Sequence, residues 1–170
     1  MARMSVLTAF ALVVFIIEAQ IPLPFPIPGA KLGLANTVTL FALFFSADKK
    51  RGTGNLTTID AFMMLICRII LGAVFTGRIV AFMYSITGGL LGFAAQATVK
   101  RFVTDRQIWA CGAVGAIFHN IGQVLAAMIV TGTPAIAAYL PLLIIAGIIT
   151  GIITGVAAQF AIARLRIRAK

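Results

Sequence analysis

The sequence predicts an all-α integral membrane protein of six transmembrane helices with both termini in the cytoplasm, and three observations lead there. Apolar residues make up 61% of the 170 and charged residues only 11%, with a mean hydropathy of +1.09; so few polar groups cannot solvate a globule of this size. The apolar stretches approach bilayer length and are divided by short polar breaks. The basic residues gather in alternate breaks, as they do in cytoplasmic membrane loops. The whole chain, residues 1–170, reads as one membrane domain.

The first span covers about residues 4–21, preceded by Arg3. It has the length of a signal peptide, but Glu18 interrupts the expected cleavage region and no Ala-x-Ala follows, so it reads as a retained helix. Pro22, Pro24, Pro26 and Pro28 then remove every second backbone donor, which makes this segment extended rather than helical. Gly29, Lys31 and Gly33 open the second span, about 30–47. A lysine beside the unpaired N–H groups of a helix start is electrostatically misplaced unless an anion, a carboxylate such as Glu18 or a bound ligand, sits there too.

The polar run DKKRGTGN at 48–55 closes the second span. The third covers about 59–75, with Asp60 near its start and Arg68 near its middle, and the short turn at Gly77 and Arg78 makes it an antiparallel neighbour of the fourth, about 78–99. Lys100, Arg101 and Arg106 form a second basic loop, and Trp109 stands as an interfacial anchor at the start of the fifth span, about 108–130. The uncharged turn TGTP leads to the sixth span, about 135–163, before Arg164, Arg166, Arg168 and Lys170.

With six spans, Arg3, Lys49 to Arg51, Lys100, Arg101, Arg106 and the C-terminal cluster all fall on one side, and only Lys31 and Arg78 on the other. That asymmetry accounts for most of the net charge of +10 without a nucleic-acid partner. The basic tail suits contact with the anionic lipid bilayer. Cys67 and Cys111 lie inside apolar segments without CxxC spacing and read as small core residues. Gly88 and Gly92, the trio Gly147, Gly151 and Gly155, and Gly112 with Gly115 form small-residue stripes that allow close helix approach within the chain.

An ionised side chain at the centre of a membrane costs about 2.5–3.5 kcal/mol on insertion scales and needs a reason. Arg68 and His119 fall at similar, central depths, Gln123 lies one turn beyond His119 on the same face, and Asn120 is adjacent. Glu18, Lys31 and Arg78 come near the outer ends of their helices. Together they can line one outward-opening cavity with three positive charges against one negative, which favours an anionic solute. Plainer readings stand beside this one. Glu18 and Lys31 can form a structural pair that pins the proline loop. His119, Asn120 and Gln123 can form an interhelical hydrogen-bonding node, and Arg78 can snorkel to the headgroups. Asp60 is eight residues from Arg68, about 12 Å along a helix and out of direct reach, and reads as an interfacial residue at its helix start.

No Walker sequence, no histidine and cysteine cluster and no aspartate-rich motif able to hold magnesium on a diphosphate is present. Ser85 and His119 supply a nucleophile and a base by type only, with nothing to bring them together. The expectation is a protein that is not itself an enzyme and carries neither metal nor cofactor.

PGAKLGLAN at 28–36, RIILG at 68–72, FMYSITGGLLG at 82–92, HNIGQ at 119–123 and YLPLL at 139–143, in this order and over nearly the whole chain, resemble the family labelled heptaprenyl diphosphate synthase component I. It is also called the Gx transporter family and is similar in size and span count to the substrate-binding S components of energy-coupling factor transporters. The synthase label implies a soluble prenyl-diphosphate synthase partner that would carry the chemistry. Similarity to S components implies a six-helix bundle in the bacterial plasma membrane. Such a bundle delivers solute after docking on a transmembrane coupling protein with two ATPases. The docking helix of S components commonly carries Ala-x-x-x-Ala in the first span; the nearest match here is Ser5 with Ala9, with serine in place of the first alanine. The resemblance further implies that Pro22, Pro24, Pro26, Pro28 and Gly29 form an external loop closing over substrate, with Lys31, Asn36, Arg68, His119, Asn120 and Gln123 as candidate contacts, to which the cavity reading adds Glu18.

Overall fold

The structure, a computed structural model, describes residues 2–20, 33–45 and 57–168. Among these residues all regular structure is helical: α1 (Ala2–Glu18), α2 (Asn36–Phe45), α3 (Thr58–Thr76), α4 (Ile79–Val99), α5 (Ile108–Thr131) and α6 (Leu140–Arg168), with 3₁₀ turns at Asp105–Gln107 and Pro134–Tyr139 leading into α5 and α6. Four of the helices, α3 to α6, are long and apolar enough to cross a membrane; the apolar parts of α1 and α2, Met4–Glu18 and Asn36–Phe45, are shorter. The chain is thus a multi-pass membrane protein by length and composition.

Local chemistry sets the helix boundaries. Thr57 and Asp60 form a capping box in which the Thr57 amide donates to Asp60 Oδ2 at 2.5 Å and the Asp60 amide donates to Thr57 Oγ1 at 3.2 Å. Asp60 therefore serves as a cap at its own helix start. Gly77, at φ 63°, ends α3 in the left-handed conformation, its N–H bonded to the Ala73 carbonyl, and α4 begins two residues later against α3. The second helix differs from expectation: α2 opens at Asn36, after a turn at Leu34 and Ala35, and not near Lys31.

The helices α4, α5 and α6 form a slab held by backbone contact. A Cβ on Gly88 would stand 2.8 Å from the His119 carbonyl oxygen, one on Gly92 2.9 Å from that of Gly115, and one on Gly122 2.7 Å from that of Thr87. On the other side of α5, a Cβ on Gly151 would stand 2.6 Å from the Gly112 carbonyl oxygen. The three stripes read in the sequence therefore face one another across two interfaces of a single chain. Beside this slab, α1 and α3 pack on α2 by side-chain contact, through Ala11, Val38, Ala42, Leu43, Ala61 and Met64, and α3 in turn lies against α4. The helix α2 belongs to both groups, since Leu40 and Phe44 pack against Ile108, Cys111, Ala158 and Ile162. Lys100, in the turn after α4, donates from Nζ to the Leu43 carbonyl at 2.6 Å and ties the same helix from its other end.

Exposed positions are apolar, as a lipid-facing surface requires: Ile79, Ile129, Ile153 and Phe160 all stand open. Cys111 is buried, whereas Cys67 is exposed. The core expectation therefore fails for Cys67, because the inward face of α3 is taken by Ala61, Met64, Leu65, Arg68, Ile69 and Gly72, and a residue one step before Arg68 points to lipid.

Because Gly122 meets backbone and Gly132 meets nothing within 4 Å, substitutions at the two should separate. Gly122→Leu should lower unfolding stability in detergent by about 1–3 kcal/mol through overpacking. Gly132→Asn, which suits the positive φ there, should stay within about 0.5 kcal/mol of wild type. Equal stabilities would contradict the backbone contact between α4 and α5.

Candidate functional site

A polar cluster lies where α1, α2, α3 and α5 meet. Its foundation is Glu18, the last residue of α1, 4% exposed. One carboxylate oxygen accepts from the Gly33 amide at 2.5 Å and the other from the Ala35 amide at 3.2 Å. Gly33 has φ +79°, and a Cβ there would press on the Asn36 and His119 side chains; glycine gives the chain both the conformation and the clearance. A carboxylate on the free amides before a helix is the favourable sign at the positive end of the helix dipole. The anion that the sequence requires at this helix start is thus supplied by the chain itself.

Asn36, the first residue of α2, joins two further helices. Its Oδ1 accepts from Arg68 Nη2 at 3.1 Å, and its Nδ2 lies 3.1 Å from His119 Nδ1. The other ring nitrogen, Nε2, meets the amide of Gln123, one helical turn on, at 2.9 Å. Arg68 is 3% exposed, with its guanidinium 5.8 Å above the centre of the Phe15 ring and Glu18 as its through-space counter-charge. Its Nε is buried and has no hydrogen-bond partner, a deficit of about 1–3 kcal/mol for a polar group, and more for a charged one.

The sequence candidates therefore divide. Glu18, Asn36, Arg68, His119 and Gln123 come together. Asn120 does not: its Nδ2 donates to the Leu143 carbonyl at 2.5 Å, toward Gly147 of α6, which makes it a tie within the slab. Adjacent residues on a helix point about 100° apart, so His119 and Asn120 serve different neighbours. Arg78 is exposed at the α3–α4 turn, away from the cluster, because the turn carries it beyond the packed ends of both helices. Lys31 and the loop residues Pro22, Pro24, Pro26, Pro28 and Gly29 lie outside the described residues. Among the described residues the cluster holds one cation, Arg68, and one carboxylate, Glu18. Ser5 and Ala9 lie on the exposed face of α1. Among the described residues no group of His, Cys, Asp and Glu side chains is arranged to hold a metal.

Two features escaped the sequence reading. Phe15 lies one turn before Glu18 on the same face of α1, a spacing that places an aromatic ring beside the charge cluster and was available as a signal. An apolar groove of about 600 Å³ lies between α1, α2 and α6, lined by residues such as Phe10, Val14, Leu34, Phe41, Ala158 and Leu165. It depends on three helices distant in sequence and left no local pattern.

Removing the Glu18 carboxylate should loosen α1 from α2. Glu18→Ala should cost about 1.5–3 kcal/mol in unfolding free energy, the range for hydrogen bonds to a charged group. Glu18→Gln, which keeps one acceptor oxygen, should recover part of the loss. Denaturant unfolding in micelles measures both, and an unaltered midpoint in Glu18→Ala would remove the carboxylate from its place at the start of α2.

Residues 7–161 match the family model for heptaprenyl diphosphate synthase component I. No curated protein and no solved structure matches the chain. The match spans both the glycine-packed slab and every described member of the polar cluster. This chain belongs to the heptaprenyl diphosphate synthase component I family, a family like the Gx transporters.

Proposed function

We propose that this protein is the non-enzymatic, membrane-embedded solute-binding component of a transporter, similar to the S components of energy-coupling factor systems, and that its solute is a small anion. The observation that carries this reading is Arg68: a guanidinium nine-tenths buried at membrane depth, with Nε left without a partner. A buried cation kept in a membrane with an unused donor marks a binding site more readily than a structural tie. Its neighbours Asn36 and His119 belong to different helices, so an anion there would contact both the slab and the α1–α3 group, as binding at the junction of moving parts requires.

In this reading α1 and α2 complete a six-span bundle in the bacterial plasma membrane with both termini cytoplasmic, and the 22–30 segment closes over the solute, with Lys31 adding a second cation. An ATP-driven coupling protein then reorients the bundle, docking on the α1 face that carries Ser5 and Ala9. In this reading Arg68 and Lys31 stand against Glu18, a net of one positive charge that favours a solute of low charge, such as a carboxylate.

One observation favours a second reading. The groove between α1, α2 and α6 is apolar and roomy, which suits an isoprenoid chain. It supports a role as the non-catalytic membrane subunit of a prenyl-diphosphate synthase, where the soluble partner performs the chemistry.

Purification from the native membrane, with co-eluting proteins and bound small molecules identified by mass spectrometry, separates the two. ATPases with a coupling protein, and a retained anion that falls at least about tenfold in Arg68→Ala, are expected for transport. A soluble prenyl synthase alone, with an isoprenoid retained, would overturn it.

A further inference from the structure

The groove between α1, α2 and α6 differs at its two ends. Both α1 and α6 pack on α2, and the space between them is floored by Leu34, Val38 and Phe41, which recur at helical spacing on one side of α2 and the turn before it. Its walls are unequal. Phe10 and Val14 stand on α1, whereas α6 offers Ala157 and Ala161, so the recess exists because alanines face larger side chains. Phe10, Ala157 and Ala161 are exposed, and the groove therefore opens sideways to the lipid. An apolar recess left empty there forfeits dispersion contacts along its lining, and an apolar lining gives water too few partners to fill it.

Length and charge point to one occupant. Ala157 and Leu165 mark the extent of the groove on α6, eight residues apart and about 12 Å along the helix. That is less than half of a hydrocarbon core of about 30 Å. A partner's transmembrane helix needs the full depth, whereas one acyl chain lies within a single leaflet. Beyond Ala161, α6 runs on to the exposed Arg164, three residues later and on the groove side by helical spacing. Ile162 and Ile108 share one buried cluster, which brings the α4–α5 turn to this same end. There Arg101 and Arg106 are exposed beside the acidic Asp105, and the sequence adds Arg166, Arg168 and Lys170 after the groove. An apolar slot that ends among cations is complementary to a lipid with an acyl chain and an anionic headgroup.

We propose that the groove between α1, α2 and α6 binds one acyl chain of an anionic phospholipid, whose headgroup phosphate is held at Arg164. A chain seated there touches both α1 and α6 and so fastens the α1–α3 group to the slab from the lipid side. The site shares no lining residue with the Arg68 cluster and does not depend on the transporter reading. It assigns the groove to a membrane lipid in place of an isoprenoid.

Native mass spectrometry of the full chain in micelles, titrated with palmitoyl-oleoyl phosphatidylglycerol or with phosphatidylcholine of the same chains, tests this. Wild type should take up one phosphatidylglycerol before any further lipid. It should prefer that lipid to phosphatidylcholine by at least about fivefold, the factor for roughly 1 kcal/mol per basic side chain at an anionic surface. Arg164→Gln should lower the preference by about that factor. Ala161→Phe, which fills the groove from its exposed wall, should weaken uptake of both lipids at least about tenfold, the factor for two buried methylenes at about 0.8 kcal/mol each. No uptake or equal uptake of the two lipids by wild type, or unchanged uptake in folded Ala161→Phe, would overturn the proposal. If Ala161→Phe does not fold, Ala157→Phe fills the same groove one turn earlier and carries the same expectation. If neither folds, Arg164→Gln decides alone, and an undiminished preference overturns the proposal. So does protein from the native membrane that carries an isoprenoid which added phosphatidylglycerol does not displace, a result that returns the groove to the prenyl-synthase reading. None of these outcomes involves Arg68, so failure here is distinct from failure of the anion site.

Discussion

The carboxylate of Glu18 on the amides of Gly33 and Ala35 is the interaction on which the rest of the site depends. Ala35 is fully buried, so the free N–H groups that precede α2 need an internal partner. The end of α1 supplies it with the sign that the helix dipole favours. Once that contact is made, the chain turns at Gly33 and Asn36 arrives between α3 and α5. Arg68 and His119 can then each reach a different end of one amide.

Two kinds of packing meet at this point. Glycines bring the backbones of α4, α5 and α6 together over long stretches, an arrangement that leaves little room for one helix to shift without its neighbours. The α1–α3 group is joined by ordinary side-chain contact and shares with the slab a seam of hydrogen bonds. Polar contacts at a seam are directional and can be exchanged, whereas interlocked backbones cannot. The proposed solute site lies on that seam, where binding and relative movement of the two groups would affect each other. The Asn120 bond to Leu143 lies one residue away yet belongs wholly to the slab, so the polar stretch at 119–123 serves both sides of the division.

Much of this was legible in the sequence. Composition and the apolar runs indicated a helical membrane protein, Asp60 stood near the start of α3, Gly77 marked the turn after it, and the glycine spacings indicated the helix faces that meet. Arg68, His119 and Gln123 stood out because polar groups are expensive in an apolar medium. What could not be read was pairing. Arg78 and Arg68 are equivalent by residue type, and only the position of the α3–α4 turn puts one at the surface and the other in the cluster. The start of α2 was misplaced for a related reason: Lys31 and Gly33 both carry local helix-start signals, and the choice fell to a carboxylate fifteen residues earlier.

The sequence by itself determined the solvent, the helical periodicity, the turns and the list of polar groups that must be satisfied, because each of these depends on residues within a few positions of one another. The tertiary structure alone decided which of those groups meet. Asn36 finds Arg68 across 32 residues and His119 across 83, and contacts of that separation are set by how helices pack, which no local pattern encodes.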